Sequence, residues 1–327
     1  MRIGVIGSGW GSRVQTPIFR EAGFDVIEIR GREWEKFRDA NVDLVSVVVP
    51  PAKHLEIARA ALEAGKHVIC EKPTALDAAE AEQLAQASRA RPDRIAIIDH
   101  ELRFLPSFLE ARERVRELEG IRYIEIRYSS PSRGDRSREW TWFSDASQGG
   151  GILGAVGSHF VDVIRYLAGE IESASGALET IIKERSGRLV TADDFADVHL
   201  RLKNGAVAAI QLSTVASGAD EPATITLHGE TGALRLTGEE LLFATRSEPF
   251  ARVAGGHLAK LPGNSPGGAF GSGTHYLALA LKAALEEGKQ DALAPAATFE
   301  DGLANQRVLD AVRASSADEG RLTKVER

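Results

Sequence analysis

A short apolar run that breaks at once into glycines opens the chain: Ile3-Gly4-Val5-Ile6, then Gly7-Ser8-Gly9-Trp10-Gly11-Ser12. No other feature constrains the fold as strongly. A buried strand that ends in a glycine turn and leads into a helix is the first unit of a doubly wound α/β domain, where the turn receives a pyrophosphate. Gly7 permits the tight turn, and Gly9 lets backbone amides approach the phosphates. Ser8 and Trp10 belong to the same cradle, and Trp10 can cover the pyrophosphate or anchor the turn. The helix that follows aims the positive end of its dipole at the bound anion. The third position of G-x-G-x-x-G is held by Ser12, which is small enough, with Gly11 one place early. Alone, such a turn is only structural; as the first turn of an alternating strand and helix pattern it reads as a dinucleotide site.

That alternation continues. Strands read at 26–29, at 44–49 before Pro50-Pro51, at 68–70 and at 95–98. Leu55, Ala58 and Leu62 recur at helical spacing and stop at Gly65, and 78–89 is an alanine-rich helix. Strands without polar alternation are buried on both faces, as in a parallel sheet. Where the second strand ends, an acidic residue would bind a ribose 2′-hydroxyl. Here the chain reads Ile29-Arg30-Gly31-Arg32-Glu33. Two arginines suit a 2′-phosphate held by charged hydrogen bonds, which favours NADP over NAD; otherwise they are a solvated pair.

Near Gly120 the pattern changes to alternation of apolar and charged residues, as in Ile124, Ile126 and Tyr128 against Glu125 and Arg127. It recurs before and after the Asn204-Gly205 turn. This predicts a Rossmann-type parallel sheet over 1–120, followed over 121–327 by an α+β domain with a large, mostly antiparallel open sheet that serves substrate binding and oligomerisation. Helices are expected at 275–287 and 299–315, and the stretch 249–274 reads as a long loop, over the pocket or at an oligomer contact. The open sheet needs its outer face covered, so a homodimer or homotetramer is expected.

With 327 residues the chain has room for two cores. A net charge of −7 gives no reason to expect a nucleic-acid or membrane partner. The single cysteine, Cys70, cannot form an intrachain disulfide and lies in a buried strand, as a core residue would. The absence of a basic start followed by a long apolar run, and the charges His159, Asp162 and Arg165 in the later apolar stretch, fit a cytoplasmic protein. No cluster has zinc-ligand spacing, so no metal is expected, and no phosphate-loop lysine motif for ATP is present.

After the strand at 68–70 comes Glu71-Lys72-Pro73. A lysine at the carboxyl end of a parallel strand points to the crevice where open α/β sheets bind ligands. Its ammonium can protonate a carbonyl oxygen as hydride arrives at carbon, and its amine can take the alcohol proton in reverse. The residue type alone is equally that of a surface lysine.

These motifs, with Val49-Pro50-Pro51 and His54, Arg103-Phe104-Leu105-Pro106, Gly149-Gly150-Gly151-Ile152-Leu153 and Gly157-Ser158-His159-Phe160-Val161-Asp162, resemble in order and separation the Gfo/Idh/MocA oxidoreductases. That family includes glucose–fructose oxidoreductase and the inositol dehydrogenases. The resemblance implies hydride transfer between a nicotinamide and a sugar, polyol or related carbonyl compound. It implies Lys72 as catalytic acid/base and His159 facing the reacting oxygen. It places Pro50, His54, Glu71 and Pro73 near the cofactor, with Glu71 at the nicotinamide ribose. Arg103, Trp142 and Asp162 are candidates for substrate contacts. Arg103 is otherwise a structural ion pair, and Trp142, with Trp140, can line a sugar pocket. The family's aspartate four places before the histidine is Ala155 here. Asp162, three residues after His159, would share its face on a helix. Ala155 also admits a second reading, a non-catalytic sensor that binds the dinucleotide.

Overall fold

Strand and helix alternate through the first hundred residues because each strand is mainly apolar and the helices between them bury an apolar face. The computed structural model describes residues 1–218, 221–255, 258–263, 265 and 267–326. The chain forms two units, Met1–Leu105 with His257–Leu303, and Pro106–Gly256 with Ala304–Arg327.

In the first unit, β1 (Arg2–Ile6), β2 (Asp25–Ile29), β3 (Leu44–Val47), β4 (His67–Cys70) and β5 (Ala96–Ile98) form a parallel sheet in the order β5-β4-β3-β1-β2. The short strand Ala297–Thr298 adds antiparallel to β5. On one face lie α2 (His54–Glu63) and α3 (Ala78–Arg89), whose Ile57, Ala61 and Leu84 pack with Val45 and Val68. On the other lie α1 (Thr16–Glu21) and a long helix, Gly268–Glu286, whose Ile18, Phe19, Leu277 and Leu281 pack with Ile3, Val5 and Ile69. Each of these large side chains contributes ~1.5–3 kcal/mol by leaving water. Burial on both faces is why β3 carries no apolar–polar alternation.

The chain reverses its direction of winding between β1 and β3, and this makes the switch point at which such sheets bind ligands. Register aligns the strand ends: Ile6 lies beside Val47, Val47 beside Cys70, and Cys70 beside Ile98. The ladder runs one residue further. Gly7 N donates to Ile29 O at 2.9 Å, Val48 N to Ile6 O at 2.8 Å, Glu71 N to Val47 O at 3.0 Å and Asp99 N to Cys70 O at 2.8 Å. Gly7, Val48, Glu71 and Asp99 thus form one row along the carboxyl edge.

The second unit holds β6 (Ile121–Ser129), β7 (Ile171–Glu179), β8 (Phe195–Leu202), β9 (Val207–Ser213), β10 (Glu221–Gly229), β11 (Gly232–Thr237), β12 (Glu240–Thr245) and β13 (Ala251–Gly255). Their order is β13-β12-β11-β10-β6-β9-β8-β7, with Thr323–Lys324 at the β7 edge. β6 and β9 run parallel, and the other pairs in this sheet are antiparallel. Ile124, Ile126, Val198, Leu200, Ile210 and Leu212 fill the covered face. Tyr123, His199, Arg201, Val207 and Leu322 line a groove of about 310 Å³ on the opposite face.

The loop expected over 249–274 is corrected in two places. Ala251–Gly255 is a strand paired with β12, and the helix starts at Gly268 rather than 275. One of its glycines, Gly273, serves packing. A Cβ on Gly273 would lie 2.6 Å from the Glu101 carbonyl oxygen, so the helix approaches the 3-10 turn Glu101–Phe104 more closely than any side chain allows. Residues 256, 257, 264 and 266 of that stretch lie outside the described residues. Among the described residues no helix is long and apolar enough to cross a membrane.

Candidate active site

The glycine loop divides its tasks. Gly7 has φ +141°, and a Cβ there would stand 1.9 Å from the Val48 carbonyl oxygen, so β1 and β3 can run this close only at glycine. Around Gly9 nothing lies within 4 Å of an added Cβ. Gly11 takes the close helix–strand contact, 3.0 Å from Val5 Cγ1, while the Ser12 hydroxyl donates to Gly7 O at 3.3 Å. The chain then turns through a wide helical turn, Gly11–Gln15, into α1. The first N–H groups of such a turn have no acceptor within the helix. An open backbone at Gly9 and a helix start next to it fit a dinucleotide pyrophosphate. Trp10 is half-buried and packs against the α1 side of the core.

At the end of β2, Arg30 and Arg32 are exposed. Gly31 opens a 3-10 turn, Gly31–Arg38. Glu33 is engaged by Lys36 at 3.0 Å, and that contact, helped by Arg30 and Arg32, holds its carboxyl below the usual range.

Pro50 leads from β3 into the turn Pro51–Lys53 and α2. His54, at the start of α2, is fully buried. Its Nδ1 lies 2.9 Å from Pro73 O and its Nε2 2.9 Å from Val49 O. The ring therefore braces the end of β3 against the Lys72–Pro73 segment, whose peptide bond is cis. Burial lowers its pKa, outweighing the opposing pull of these carbonyls. Lys72 is half-buried at the end of β4. Next to it lies a buried polar cluster that sequence reasoning missed. Gln15 Nε2 donates to Glu71 Oε1 at 3.0 Å and Asp99 Oδ2 at 2.9 Å, and the Ser46 hydroxyl donates to Gln15 Oε1. Burial raises the carboxyls of Glu71, Asp99 and Glu101, while the Lys72 ammonium pulls each back. The available signals were a serine inside an apolar strand and Asp99-His100-Glu101 directly after another. Arg103 is buried, with Nη2 3.4 Å from Asp301 Oδ1 and Nη1 3.5 Å from Pro295 O.

In the second unit, α4 (Ser158–Ala168) carries both His159 and Asp162, each buried and three residues apart on one helix. The triple glycine makes its start possible. A Cβ on Gly150 would lie 2.5 Å from Phe143 O, and one on Gly151, at φ +107°, 2.2 Å from Asp193 Oδ1. Asp193 caps the entry, accepting from Leu153 N at 2.7 Å. Burial raises its carboxyl. Ala155 lies in the wide turn Leu153–Gly157. Trp142 is partly exposed beside Phe143, and the Trp140 indole donates to Leu189 O at 3.0 Å. The glycine loop, Pro50, His54, Glu71, Lys72 and Pro73 thus gather along one edge of the first unit's sheet; His159, Asp162 and Trp142 belong to the second unit. Among the described residues no group of three or more His, Cys, Asp or Glu could hold a metal ion.

Comparison with known proteins agrees with this architecture. The profile of the oxidoreductase family with an NAD-binding Rossmann fold matches residues 32–98, and that of the GFO/IDH/MocA C-terminal domain matches 108–235. The human glucose-fructose oxidoreductase domain-containing protein 2 is 29% identical over 355 residues, covering 96% of this chain and 91% of that protein. A Synechocystis protein described as an uncharacterized oxidoreductase is 30% identical over 271 residues, covering 74% and 72%. Levoglucosan dehydrogenase, solved with NADH and levoglucosan, shares the fold with a TM-score of 0.86 at 24% identity, over 100% of both chains. The chain belongs to the GFO/IDH/MocA family of oxidoreductases, whose Rossmann domain binds NAD.

Proposed function

We propose that this chain is a dehydrogenase or reductase that moves a hydride between a nicotinamide dinucleotide, NADP in preference to NAD, and a sugar, polyol or related carbonyl compound. The observation that carries this is the position of Lys72. It follows Glu71 in the row that begins at Gly7, two strand spacings or ~10 Å from the glycine loop, half-buried at the edge where such sheets bind ligands. The bound nicotinamide supplies or receives the hydride at carbon. The Lys72 amine takes the hydroxyl proton as the C–H pair leaves, and in the other direction its ammonium returns that proton to the carbonyl oxygen. Gly7 makes the turn, Ser8 and Gly9 hold the pyrophosphate on backbone amides, and Arg30 and Arg32 hold the 2′-phosphate. His54 acts by bracing the Lys72–Pro73 backbone. His159 is the second catalytic candidate, with Trp142 and Asp162 as candidates for substrate contacts. The levoglucosan dehydrogenase neighbour supports a carbohydrate-like substrate. The exposed Tyr123 and Val207 on the open face of the second sheet support assembly into a homodimer or homotetramer, which light scattering tests.

The test is oxidation of NADPH and NADH with a panel of ketoses, aldoses, inosones and anhydrosugars, for the native chain and Lys72→Ala. The variant is expected to keep cofactor binding and lose ~10²–10⁴-fold in turnover. Native turnover in Lys72→Ala would refute the mechanism. A tight cofactor complex with no turnover on any compound would favour the sensor reading that Ala155 leaves open.

A further inference from the structure

Between β6 and the triple glycine the chain gathers arginines without acids to match them. Residues 131–135 turn over the end of β9, tied there by Arg133 N, which donates to Thr214 O at 2.8 Å. Two guanidiniums fasten on the carbonyls of this turn. Arg138 donates to Ser132 O; the buried Arg185, from a short hairpin at 184–189, donates to Arg133 O and, at 2.6 Å, to Asp135 O. The third, Arg133, is half-buried, with its guanidinium carbon 3.5 Å from the centre of the Phe143 ring. Among the described residues no acceptor bonds the Arg133 side chain, and none of the three arginines has a carboxylate within ion-pair distance. The acids of these segments are engaged elsewhere or exposed. Asp135 accepts from Ser137 N at 2.8 Å and from its hydroxyl at 2.7 Å, and these bonds, ahead of Arg185 and Arg138, hold its carboxyl below the usual range. Asp145 accepts from Ser147 in the same way, and Glu139 and Glu184 are exposed.

We propose that this turn is an oxyanion subsite, in which the free fork of Arg133, backed by Arg138 and Arg185, takes a carboxylate or phosphate group carried by the substrate. That the anion belongs to the substrate rests on reading this chain as a dehydrogenase; the capacity to bind it does not.

A guanidinium offers five N–H donors in one plane, a geometry that matches the paired oxygens of a carboxylate or phosphate. Arg138 and Arg185 give donors to main-chain carbonyls, which neutralise no charge. Three positive charges thus meet around one turn with no ion pair among them, an arrangement that a bound anion relieves. Burial, and then the charges of Arg138 and Arg185, push the pKa of Arg133 down to about 10, in keeping with a cation set among cations. The Phe143 ring supports its guanidinium, so less freedom is lost when a ligand arrives. The neighbours of Arg133 connect the anion with the substrate. Phe143 adjoins Trp142, with ring centroids 5.9 Å apart, and Phe143 O accepts from Gly151 N at 3.2 Å, on the way into the helix that carries His159. Arg30 and Arg32, read as cofactor contacts, belong to the other unit. The substrate class that fits is therefore an acidic sugar or polyol, a sugar acid or a sugar phosphate, rather than a neutral one.

Titration calorimetry tests this with glucuronate, glucose 6-phosphate, inorganic phosphate and, as the neutral control, glucose. The full chain carries Arg30→Ala and Arg32→Ala throughout, so that the basic pair of the first unit is removed. Both acidic sugars are expected to bind about tenfold or more tightly than glucose, and Arg133→Gln to weaken them about tenfold or more while leaving glucose unchanged. Arg133→Lys keeps the charge but not the fork and should recover only part of the loss. The Arg133 side chain bonds no other group, so circular dichroism should show both variants folded. Acidic sugars that bind no better than glucose, or that bind equally well to Arg133→Gln, overturn the proposal; so does inorganic phosphate binding with neither acidic sugar engaged, since the anion is then not the substrate's. In turnover of an acidic sugar, Arg133→Gln should raise KM about tenfold or more with kcat nearly kept. Native turnover in Lys72→Ala would instead sink the functional reading and leave the calorimetry standing.

Discussion

The first two glycines of the first turn, Gly7 and Gly9, separate folding from binding, and replacing each with alanine tests that division. At Gly7 the new methyl would stand 1.9 Å from a backbone carbonyl, that of Val48, at φ +141°. Backbone cannot rotate out of the way as a side chain can, so β1 and β3 must part at their ends. Two hydrogen bonds are at risk there, Gly7 N to Ile29 O and Val48 N to Ile6 O. Each is worth about 1 kcal/mol net, and the disfavoured φ adds about 1–2 kcal/mol. Gly7→Ala should therefore destabilise the first unit by about 3 kcal/mol or more. In a unit of this size that lowers the thermal midpoint by about 6–12 °C. At Gly9 a methyl meets nothing within 4 Å. Gly9→Ala should leave the midpoint within about 1–2 °C yet weaken NADPH binding about tenfold or more, a loss of about 1.4 kcal/mol, because the methyl occupies the side open to the phosphates. Scanning calorimetry without cofactor gives the first quantity, and titration calorimetry with NADPH the second. Full stability in Gly7→Ala, or unchanged affinity in Gly9→Ala, would refute this division of roles.

Other outcomes follow from the same geometry. Arg30→Ala with Arg32→Ala should cut the preference for NADPH over NADH by about tenfold or more in kcat/KM, and native turnover that is equal or better with NADH would remove the basis for that preference. His54→Ala should cost about 2–4 kcal/mol, measured by urea unfolding, because it opens a cavity and leaves the Pro73 or Val49 carbonyl without its donor. The folded-state pKa of His54 is depressed, so below the free-histidine value of 6.5 the unfolded chain binds the extra proton. Native stability should fall as the pH drops through that region, and the fall should be shallower in His54→Ala. Asp193→Ala should cost about 1–2 kcal/mol as a lost cap of the helix that carries His159. Its raised carboxyl contributes the opposite slope, stability falling as pH rises above the ordinary value of 3.8, which the variant should lack.

The first sheet was legible because its inner strands are buried on both faces and almost wholly apolar, so each ends visibly at a glycine, a proline or a charge. In the second sheet, Ile124 and Ile126 against Glu125 and Arg127 showed the alternation of a half-buried strand. β7 was not legible, since Ser173, Ala174, Ser175, Gly176 and Ala177 carry too little apolar contrast to show a period. β13 and the first turns of the helix Gly268–Glu286 were hidden by glycines; the close contact of Gly273 with the Glu101 backbone is a tertiary fact. Lys72 and the glycine loop stood out because each directly follows a strand. Gln15, Ser46 and the run from Asp99 to Glu101 lie on three separate segments, and only strand register brings them together. Nothing in their spacing along the chain links them.

The account stands or falls on where a nicotinamide would lie relative to Lys72. A crystal structure of the chain soaked with NADP⁺ measures this directly. The account predicts the pyrophosphate on the backbone amides that follow Gly7 and the nicotinamide ring at the carboxyl end of β4, with the Lys72 amine separated from its C4 by a gap fit for one substrate carbon and its oxygen. A dinucleotide bound elsewhere, or a Lys72 amine turned to bulk water with the cofactor in place, would contradict it.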